Sequence, residues 1–201
     1  MTQTIGIYLY HDVEVLDFAG PFEVFNTATR VYARFHPESH QDRFKVITIA
    51  EKAGLVRARA GLPVMPDSLI SSHPPLDVLI VPGGIHNAEM EKPQVLDWAR
   101  RVNTNTSITA AVCTGAFILG KAGILDGLNA TTHWEDIPDL KKLLPGSNIL
   151  ENVRWVDEGR IVTSAGISAG IDMSLHLVSK LEDEELALMT ARQMEYDWQK
   201  R

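Results

Sequence analysis

Short apolar strands that alternate with helices are the feature that most constrains the fold of this chain. Residues 77–81 read Asp-Val-Leu-Ile-Val and residues 108–112 read Ile-Thr-Ala-Ala-Val, so both runs are almost wholly apolar. Such runs are typical of strands that are buried on both faces, because helices cover both faces of a parallel sheet. A helical pattern follows each run. This order of elements predicts an α/β fold with a mostly parallel sheet.

The rest of the chain divides into further elements of the same kinds. Apolar runs predict strands at residues 5–10, 44–50, 153–156 and 160–163, the last two forming a hairpin, and a less regular strand pair within 55–66. Helical periodicity predicts helices at residues 16–32, 93–102, 114–125, 168–180 and 183–198. The polar segment 36–42 is expected to be a surface loop.

The composition limits the partners of the protein. Of the 201 residues, 45% are hydrophobic, which is ordinary for a globular domain and excludes disorder of the whole chain. The formal net charge is −7, and no basic run occurs. Nucleic acids and anionic membranes attract positively charged surfaces. We therefore expect this domain to bind neither a nucleic acid nor a membrane, whereas a small-molecule partner is an expectation that rests on the site residues discussed below.

The single cysteine, Cys113, excludes an intramolecular disulfide and any multi-cysteine metal site. The first residues lack the pattern of a signal peptide, and no apolar run approaches the length of a membrane span. A cytoplasmic location is therefore expected. The other candidate ligands show no metal-binding spacing, and no phosphate-binding or dinucleotide-binding motif stands in the required context. No metal or cofactor is expected.

Cys113 is the strongest functional signal in the sequence. It ends the predicted strand 108–112 and precedes a predicted helix, which is the layout of a nucleophile elbow. Backbone N–H groups at the start of that helix are expected to stabilise a thiolate. Gly115, two residues later, is expected to let substrate or backbone approach closely. The alternative interpretation is a buried structural cysteine.

The pair Gly83-Gly84 ends the neighbouring predicted strand. Its two N–H groups, together with that of Thr114, are candidates for an oxyanion hole. The alternative is a turn that only terminates the strand. A cysteine nucleophile also needs an acid or base.

Three carboxyl groups are candidates for that acid or base: Glu14, Asp17 and Glu23 follow the first strand. The residue pattern alone does not choose among them, since Asp17 also fits a helix cap. His133 is the histidine that follows Cys113 most closely, and a Cys–His pair is the less favoured alternative.

Five ordered motifs resemble those of the ThiJ/PfpI superfamily, and the resemblance covers nearly the whole chain. The motifs span residues 16–21, 77–84, 111–116, 130–134 and 164–172. The isonitrile hydratases and the N-terminal domains of AraC-type regulators are the most similar branches. The resemblance implies one class I glutamine amidotransferase-like domain over residues 1–201, with a flavodoxin-like three-layer sandwich, usually in a homodimer.

The resemblance also implies roles for the site residues. It makes Cys113 the nucleophile and Asp17 its acid/base partner. Thr114 matches the threonine of the hydratase branch, whereas the intracellular-protease branch has histidine there, which counts against proteolysis. His133 aligns with a histidine that has no agreed role. The regulator branch continues into a helix-turn-helix domain, which we do not expect within residues 1–201 because the resemblance to the first domain already covers nearly all of them.

Three functions are consistent with these observations. The first is a lyase that hydrates isonitriles to N-substituted formamides through a thioimidate on Cys113, with Asp17 as acid/base. The second is a ligand-sensing domain, related to transcription regulators, that catalyses no reaction. The third is an oxidative-stress sensor in which Cys113 is reversibly oxidised.

Overall fold

A seven-stranded sheet forms the centre of the molecule. The computed structural model describes residues 1–38 and 41–200, and within them this sheet lies between two layers of helices. Neighbouring strands are parallel except at one edge, where residues 155–157 run antiparallel to the next strand. The predicted α/β sandwich with a mostly parallel sheet is confirmed.

The large sheet and two small ones contain all the named strands of the described chain. In chain order the strands are β1 Gln3–Leu9, β2 Phe44–Ala50, β3 Val56–Arg57, β4 Pro63–Val64, β5 Ser68–Leu69, β6 Val78–Val81, β7 Ile108–Val112, β8 Asn129–Ala130, β9 Asn148–Ile149, β10 Trp155–Asp157 and β11 Ile161–Ser164. The order across the large sheet is β10-β11-β7-β6-β1-β2-β5. The pairs β3-β4 and β8-β9 stand apart from it.

The helices form two layers because the central strands present apolar side chains to both faces. The α-helices are α1 Val15–Phe35, α2 Asn87–Met90, α3 Pro93–Asn105, α4 Gly115–Lys121, α5 Ile137–Leu143, α6 Ala169–Leu181 and α7 Glu184–Gln193. Helices α1, α6 and α7 pack against one another in one layer, and α2 to α5 contact one another in the other. Every residue of β6 and β7 is buried. None of the described helices has the length and apolar character that a membrane crossing demands.

Most predicted elements occur, but two helices end earlier than predicted. The helix predicted at 114–125 ends at Lys121, and Gly123 then adopts a positive φ of 73°. The helix predicted at 183–198 ends at Gln193, because the chain turns at Glu195 and the following residues pack on α6. The strands β5, β8 and β9 and the helices α2 and α5 were not predicted. Of the predicted loop 36–42, residues 39 and 40 lie outside the described part.

The sheet has a switch point between β1 and β6. From β1 the chain builds one side of the sheet through β2 and β5, and then crosses to β6 on the other side. The register places Ile80 of β6 beside both Ile7 of β1 and Ala110 of β7, so the carboxyl ends of these strands are level. Ligand sites of open α/β sheets lie at such a point.

Candidate active site

Three chain segments meet where β1, β6 and β7 end. Asp17 lies in the first turn of α1, which follows β1. Gly83 and Gly84 follow β6, and Cys113 follows β7. The structure therefore brings together the motifs that the sequence analysis had placed at the ends of strands.

Cys113 occupies a sharp turn between β7 and α4. Its φ is +56°, in the left-handed region that a side chain with a Cβ rarely adopts. Its N–H donates to the Ser164 carbonyl oxygen at 3.1 Å, and the Thr132 hydroxyl donates to the Cys113 carbonyl oxygen at 2.8 Å. These bonds to neighbouring segments hold the strained backbone in place. The predicted sharp turn between a strand and a helix is present, and Cys113 is only 7% exposed. That its sulfur acts as a nucleophile stays a prediction.

Gly115 allows α4 to begin directly against β6. A Cβ at this position would overlap the Val81 carbonyl oxygen. No other residue type fits without moving the helix away from the sheet. Gly115 therefore fixes the position of the turn that carries Cys113, which is a packing role; contact with a substrate stays a prediction.

Asp17 is fully buried, and its two carboxyl oxygens have different surroundings. Oδ2 accepts a hydrogen bond from the Gly83 N–H at 3.0 Å. Oδ1 is buried and has no standard hydrogen-bond partner within residues 1–38 and 41–200. Burial raises the pKa of Asp17 to about 7, against the lowering effects of the Gly83 N–H and the Cys113 thiol. Asp17 is therefore able to carry a proton near neutral pH.

The structure does not support the expected stabilisation of a Cys113 thiolate. Burial raises the pKa of the Cys113 thiol, and the nearby Asp17 carboxylate raises it further. The Thr114 N–H lowers it, but by less. The thiolate was predicted from the N–H groups at the start of the helix alone. Burying a negative charge beside a carboxylate costs free energy, and this cost outweighs the N–H groups here. The two groups together hold at least one proton at neutral pH.

The N–H groups of Gly83 and Gly84 already have acceptors inside the protein. The Gly83 N–H donates to Asp17, and the Gly84 N–H donates to the Thr114 hydroxyl at 2.9 Å. The same hydroxyl lies 3.0 Å from the Gly84 carbonyl oxygen, to which it donates. In this structure the two glycines therefore position Asp17 and Thr114. Their role in an oxyanion hole stays a prediction. It requires the two N–H groups to leave Asp17 and the Thr114 hydroxyl and to donate to the substrate instead.

A cavity of about 320 Å³ opens above Cys113 and Thr114. Glu14 and Arg59 line it and form an ion pair at 3.3 Å. Of the three carboxyl groups that the sequence left open, Asp17 lies beside the thiol, and Glu14 lines this cavity. Glu23 is half-exposed and pairs with Arg30 at 2.8 Å on α1, away from the site.

His133 lies at the edge of the cavity. Its Nδ1 is 3.3 Å from an Asp136 carboxyl oxygen, so the ring is oriented by a neighbouring carboxylate and not by the thiol. Both His133 and the Cys113 sulfur lie close to the position where a Cβ on Gly166 would stand. The structure thus brings His133 near Cys113 without placing it in a Cys–His hydrogen bond.

Three further site residues were not predicted individually. His86 lines the cavity, packs against Phe117, and has a pKa lowered by its burial. Gly166 and Ile167 follow β11, and Ile167 has a φ of +56° although it is β-branched. The Ile167 N–H is close enough to Asp17 to lower the pKa of its carboxyl group. The only sequence signal was the motif 164–172, because nothing local predicts a left-handed isoleucine.

No described cluster of histidine, cysteine, aspartate and glutamate side chains has the arrangement of a metal site. The Cys113 thiol and the Thr114 hydroxyl line the cavity, and the Asp17 carboxyl lies buried beside the thiol. Such a set is suited to covalent attack by sulfur with proton transfer from the neighbouring carboxyl.

Comparison with protein families gives a match over most of the chain. A family model described as the DJ-1/PfpI family matches residues 3–180. An isonitrile hydratase of Pseudomonas putida is 33% identical over 197 residues, which is 98% of this chain and 79% of the relative. The HTH-type transcriptional regulator CdhR of Pseudomonas aeruginosa is 28% identical over 96% of this chain. The chain spans only 55% of that regulator's length.

Solved structures give the same result for the fold. A ThiJ/PfpI family protein from Pseudomonas syringae superposes with a TM-score of 0.85 and 28% identity, over 98% of this chain and 76% of that one.

Proposed function

Because the chain belongs to the DJ-1/PfpI family, we propose that it is a cysteine-dependent lyase that hydrates isonitriles to N-substituted formamides. One observation carries the proposal: the buried carboxyl of Asp17, with a pKa of about 7, lies beside the thiol of Cys113 on its strained turn. An isonitrile carbon needs both a nucleophile and a proton, and this pair offers both. The 33% identity to an isonitrile hydratase supports the same substrate class.

In the first step, the Cys113 sulfur attacks the terminal isonitrile carbon and forms a C–S bond. The same carbon takes a proton, which Asp17 supplies through the oxygen that lacks a standard hydrogen bond. The product is a thioimidate, R–N=CH–S–Cys113. The reacting form of the pair is the minor one that has the proton on Asp17 and the charge on sulfur, and it arises when the thiol proton passes to the ionised Asp17.

In the second step, the ionised Asp17 acts as a base toward a water molecule. The water oxygen attacks the thioimidate carbon as Asp17 takes one water proton, and Asp17 then passes this proton to the nitrogen. The C–S bond breaks as Asp17 takes the proton of the new hydroxyl group, the sulfur leaves as the thiolate, and R–NH–CHO is released. The overall reaction adds one water to the isonitrile and returns the Cys113–Asp17 pair to its starting protonation.

Thr114, Gly83 and Gly84 support this chemistry by position. The Gly83 N–H holds one oxygen of Asp17, while the other has no standard hydrogen bond within the described residues and is the one that we assign to proton transfer. The Thr114 hydroxyl ties the Gly84 backbone to the turn of Cys113. A developing negative charge near these N–H groups would be stabilised if they exchanged their present acceptors for it.

A substrate screen tests the proposal. Purified protein is incubated with methyl isonitrile, cyclohexyl isonitrile and methylglyoxal, and formamide or hydroxy-acid products are quantified. We expect both formamides from the wild type and none from Cys113→Ser. If no isonitrile is consumed while methylglyoxal is, the hydratase proposal is wrong and a glyoxalase-like reaction replaces it.

A ligand-sensing domain is the second candidate, and the similarity to the regulator CdhR over 96% of this chain supports it. In that case the cavity above Cys113 binds a small molecule without turning it over. The reading frame beyond the codon for Arg201 discriminates the two functions, because a helix-turn-helix domain encoded there favours regulation. The hydratase is preferred because sensing does not require an acid beside a nucleophile.

The oxidation-sensor hypothesis has less support. Peroxide reacts with thiolates, and sensor cysteines are exposed and have a low pKa. Cys113 is buried and its thiol pKa is raised. Mass spectrometry after mild peroxide treatment is expected to show little sulfenic or sulfinic acid on Cys113.

We also propose that the protein is a homodimer and acts in the cytoplasm. The single cysteine supports the reducing compartment. For the dimer, Phe18 and Phe25 of α1 are buried in the core, whereas Phe22 is 37% exposed and Leu16 likewise. Of Phe18, Phe22 and Phe25, Phe22 is therefore the one available to a partner.

A further inference from the structure

We propose that Glu14 and Arg59 are positioning residues that control which member of the Asp17–Cys113 pair carries the proton. Glu14 favours the form that has the proton on Asp17 and the charge on sulfur, and Arg59 limits this effect by pairing with Glu14. The consequence for turnover rests on the proposed hydratase function, because that form of the pair is the one that reacts with the isonitrile.

Glu14 lies next to Asp17 because both belong to the start of α1. Glu14 is the N-cap residue and Asp17 is the third residue of the helix, two positions that approach each other in a capping box. Within the described residues, the Glu14 side chain makes no capping hydrogen bond, and its N–H donates to the Gly83 carbonyl oxygen at 2.8 Å. The Gly83 N–H donates in turn to Asp17. Gly83 thus holds both residues, and the Glu14 side chain lines the cavity.

The charge of Glu14 acts more on the acid than on the sulfur. The Glu14 side chain is only 24% exposed and lines the same cavity as Cys113, so water and salt screen it less than a surface charge. Burial is the main cause of the raised pKa of Asp17, and the Glu14 carboxylate raises this pKa further. After burial, the carboxylates that most raise the pKa of the Cys113 thiol are instead Asp17 and Asp136. Glu14 therefore favours the proton on Asp17 over the proton on sulfur.

Arg59 reaches the cavity from a distant part of the chain. It follows β3, and its N–H donates to the Val13 carbonyl oxygen at 2.9 Å, which fixes its backbone beside Glu14. Its guanidinium lies 3.3 Å from a Glu14 carboxyl oxygen, so its positive charge partly cancels that of Glu14. Removal of either side chain breaks the same ion pair. The two removals nevertheless change the electrostatic potential at Asp17 in opposite directions.

The other titratable groups around the pair are the same in every variant of the test. Tyr10 follows β1 and is buried, and its pKa is raised by burial first and by Asp17 second. Within residues 1–38 and 41–200, Glu14 and Arg59 form their ion pair only with each other. Their substitution therefore leaves the other ion pairs intact. The remaining titratable side chains that line the cavity are His86, His133, Glu135 and Asp136.

The pH dependence of Cys113 alkylation by iodoacetamide tests the charge effect without a substrate. The sulfur reacts as the thiolate, so the rate should rise with an inflection at about pH 7, where the first proton leaves the pair. Glu14→Gln should move this inflection down by about 0.5 in pH and lower the plateau above it roughly threefold. Arg59→Gln should move the inflection up by a similar amount. Arg59→Lys keeps the charge and should stay near the wild-type value.

The matched controls are Glu23→Gln and Arg30→Gln. They break an ion pair of 2.8 Å on α1, between side chains that are half-exposed and away from the cavity. Neither should move the inflection. The pH profiles of kcat/KM for methyl isonitrile should follow the alkylation profiles in all variants, because both depend on the same form of the pair.

The direction of the two shifts decides the outcome. A purely structural ion pair predicts the same change in Glu14→Gln and Arg59→Gln, so shifts in one direction, or no shift in either, would overturn the proposal. The hydratase would then still be judged by formamide production in the wild type. If alkylation responds as expected but the wild type hydrates no isonitrile, the hydratase is wrong, and the control of the Asp17–Cys113 proton by Glu14 and Arg59 stands.

Discussion

The carboxyl group of Asp17 and the thiol of Cys113 are close enough that each changes the pKa of the other, although one follows β1 and the other follows β7. Asp17→Asn keeps the size of the side chain and the hydrogen bond from Gly83, but it removes the transferable proton. We expect isonitrile hydration to fall on the order of a hundredfold. Asp17→Glu should retain part of the activity, because the acid survives with a shifted position.

The matched control for that loss is Glu23→Gln, which neutralises a half-exposed carboxylate on the same helix, paired with Arg30. It should leave the rate of formamide production unchanged. Wild-type turnover by Asp17→Asn would show that another group or water is the acid.

Buried Asp17 makes the stability of the protein depend on pH. Its pKa is about 7 in the folded state and about 3.9 in the unfolded state. Below about pH 4, Asp17 is protonated in both the folded and the unfolded state. Between about pH 4 and pH 7 it ionises only in the unfolded state, so its contribution to the free energy of unfolding falls as the pH rises. Above about pH 7 this contribution stops changing. Relative to Asp17→Asn, the wild type should lose on the order of 4 kcal/mol between about pH 4 and pH 8.

Urea unfolding of both proteins at the two pH values measures this difference. Titrating groups other than Cys113, whose pKa also depends on Asp17, are common to both proteins and cancel. Parallel pH profiles for wild type and Asp17→Asn would contradict the raised pKa of Asp17.

Cys113 should be mostly a neutral thiol in the resting protein at neutral pH. Burial and the Asp17 carboxylate both oppose the thiolate, and the Thr114 N–H only partly offsets them. The ultraviolet absorbance of the thiolate, measured as wild type minus Cys113→Ser, should be small at pH 7. It should increase in Asp17→Asn, where the repulsion is absent. A full thiolate signal in the wild type at pH 7 would instead support the prediction that the N–H groups at the start of α4 stabilise a Cys113 thiolate.

Gly115→Ala should destabilise the fold strongly, because its Cβ would overlap the Val81 carbonyl oxygen and push α4 away from β6. We expect a loss of about 2 kcal/mol or more in the free energy of unfolding. Gly146→Ala is the control, since a Cβ there would contact nothing within 4 Å among the described atoms. It should be neutral or slightly stabilising. Equal midpoints for the two variants in urea would show that α4 adjusts easily.

The proposed homodimer should depend on Phe22. Light scattering at micromolar concentration is expected to give twice the mass of the 22.3 kDa chain. Phe22→Glu places a charge on the exposed part of α1 and should shift the mass to that of a monomer. Phe35→Glu, at the end of the same helix, should remain dimeric. A wild-type monomer would refute the dimer, and a dimeric Phe22→Glu would move the interface elsewhere.

The positions of Asp17, Gly83 and Cys113 were predictable because each follows a strand whose apolar run is unambiguous. Parallel strands bring their carboxyl ends to one edge, so topology alone gathers these residues. The choice of Asp17 as the proposed acid came only from the family resemblance, since Glu14, Asp17 and Glu23 all follow the first strand and the residue pattern does not distinguish them.

The partners of individual backbone groups were not predictable. The Gly83 and Gly84 N–H groups were expected to face the substrate, but they bond to Asp17 and Thr114. That outcome depends on how β6 and β7 align, which no local pattern encodes. The raised thiol pKa was missed for the same reason, because it depends on burial and on a carboxylate distant in sequence.

The walls of the cavity and the cysteine turn belong to different parts of the chain. Cys113 is held between β7 and α4 by backbone geometry, whereas Ile85 and Ile167, which line the cavity, stand on two separate loops. Substitutions on those loops can therefore change which molecules are accepted while the sulfur and its acid keep their places. The molecule separates selectivity from reactivity, and an engineer who wants a new substrate has a surface to redesign that leaves the reacting atoms untouched.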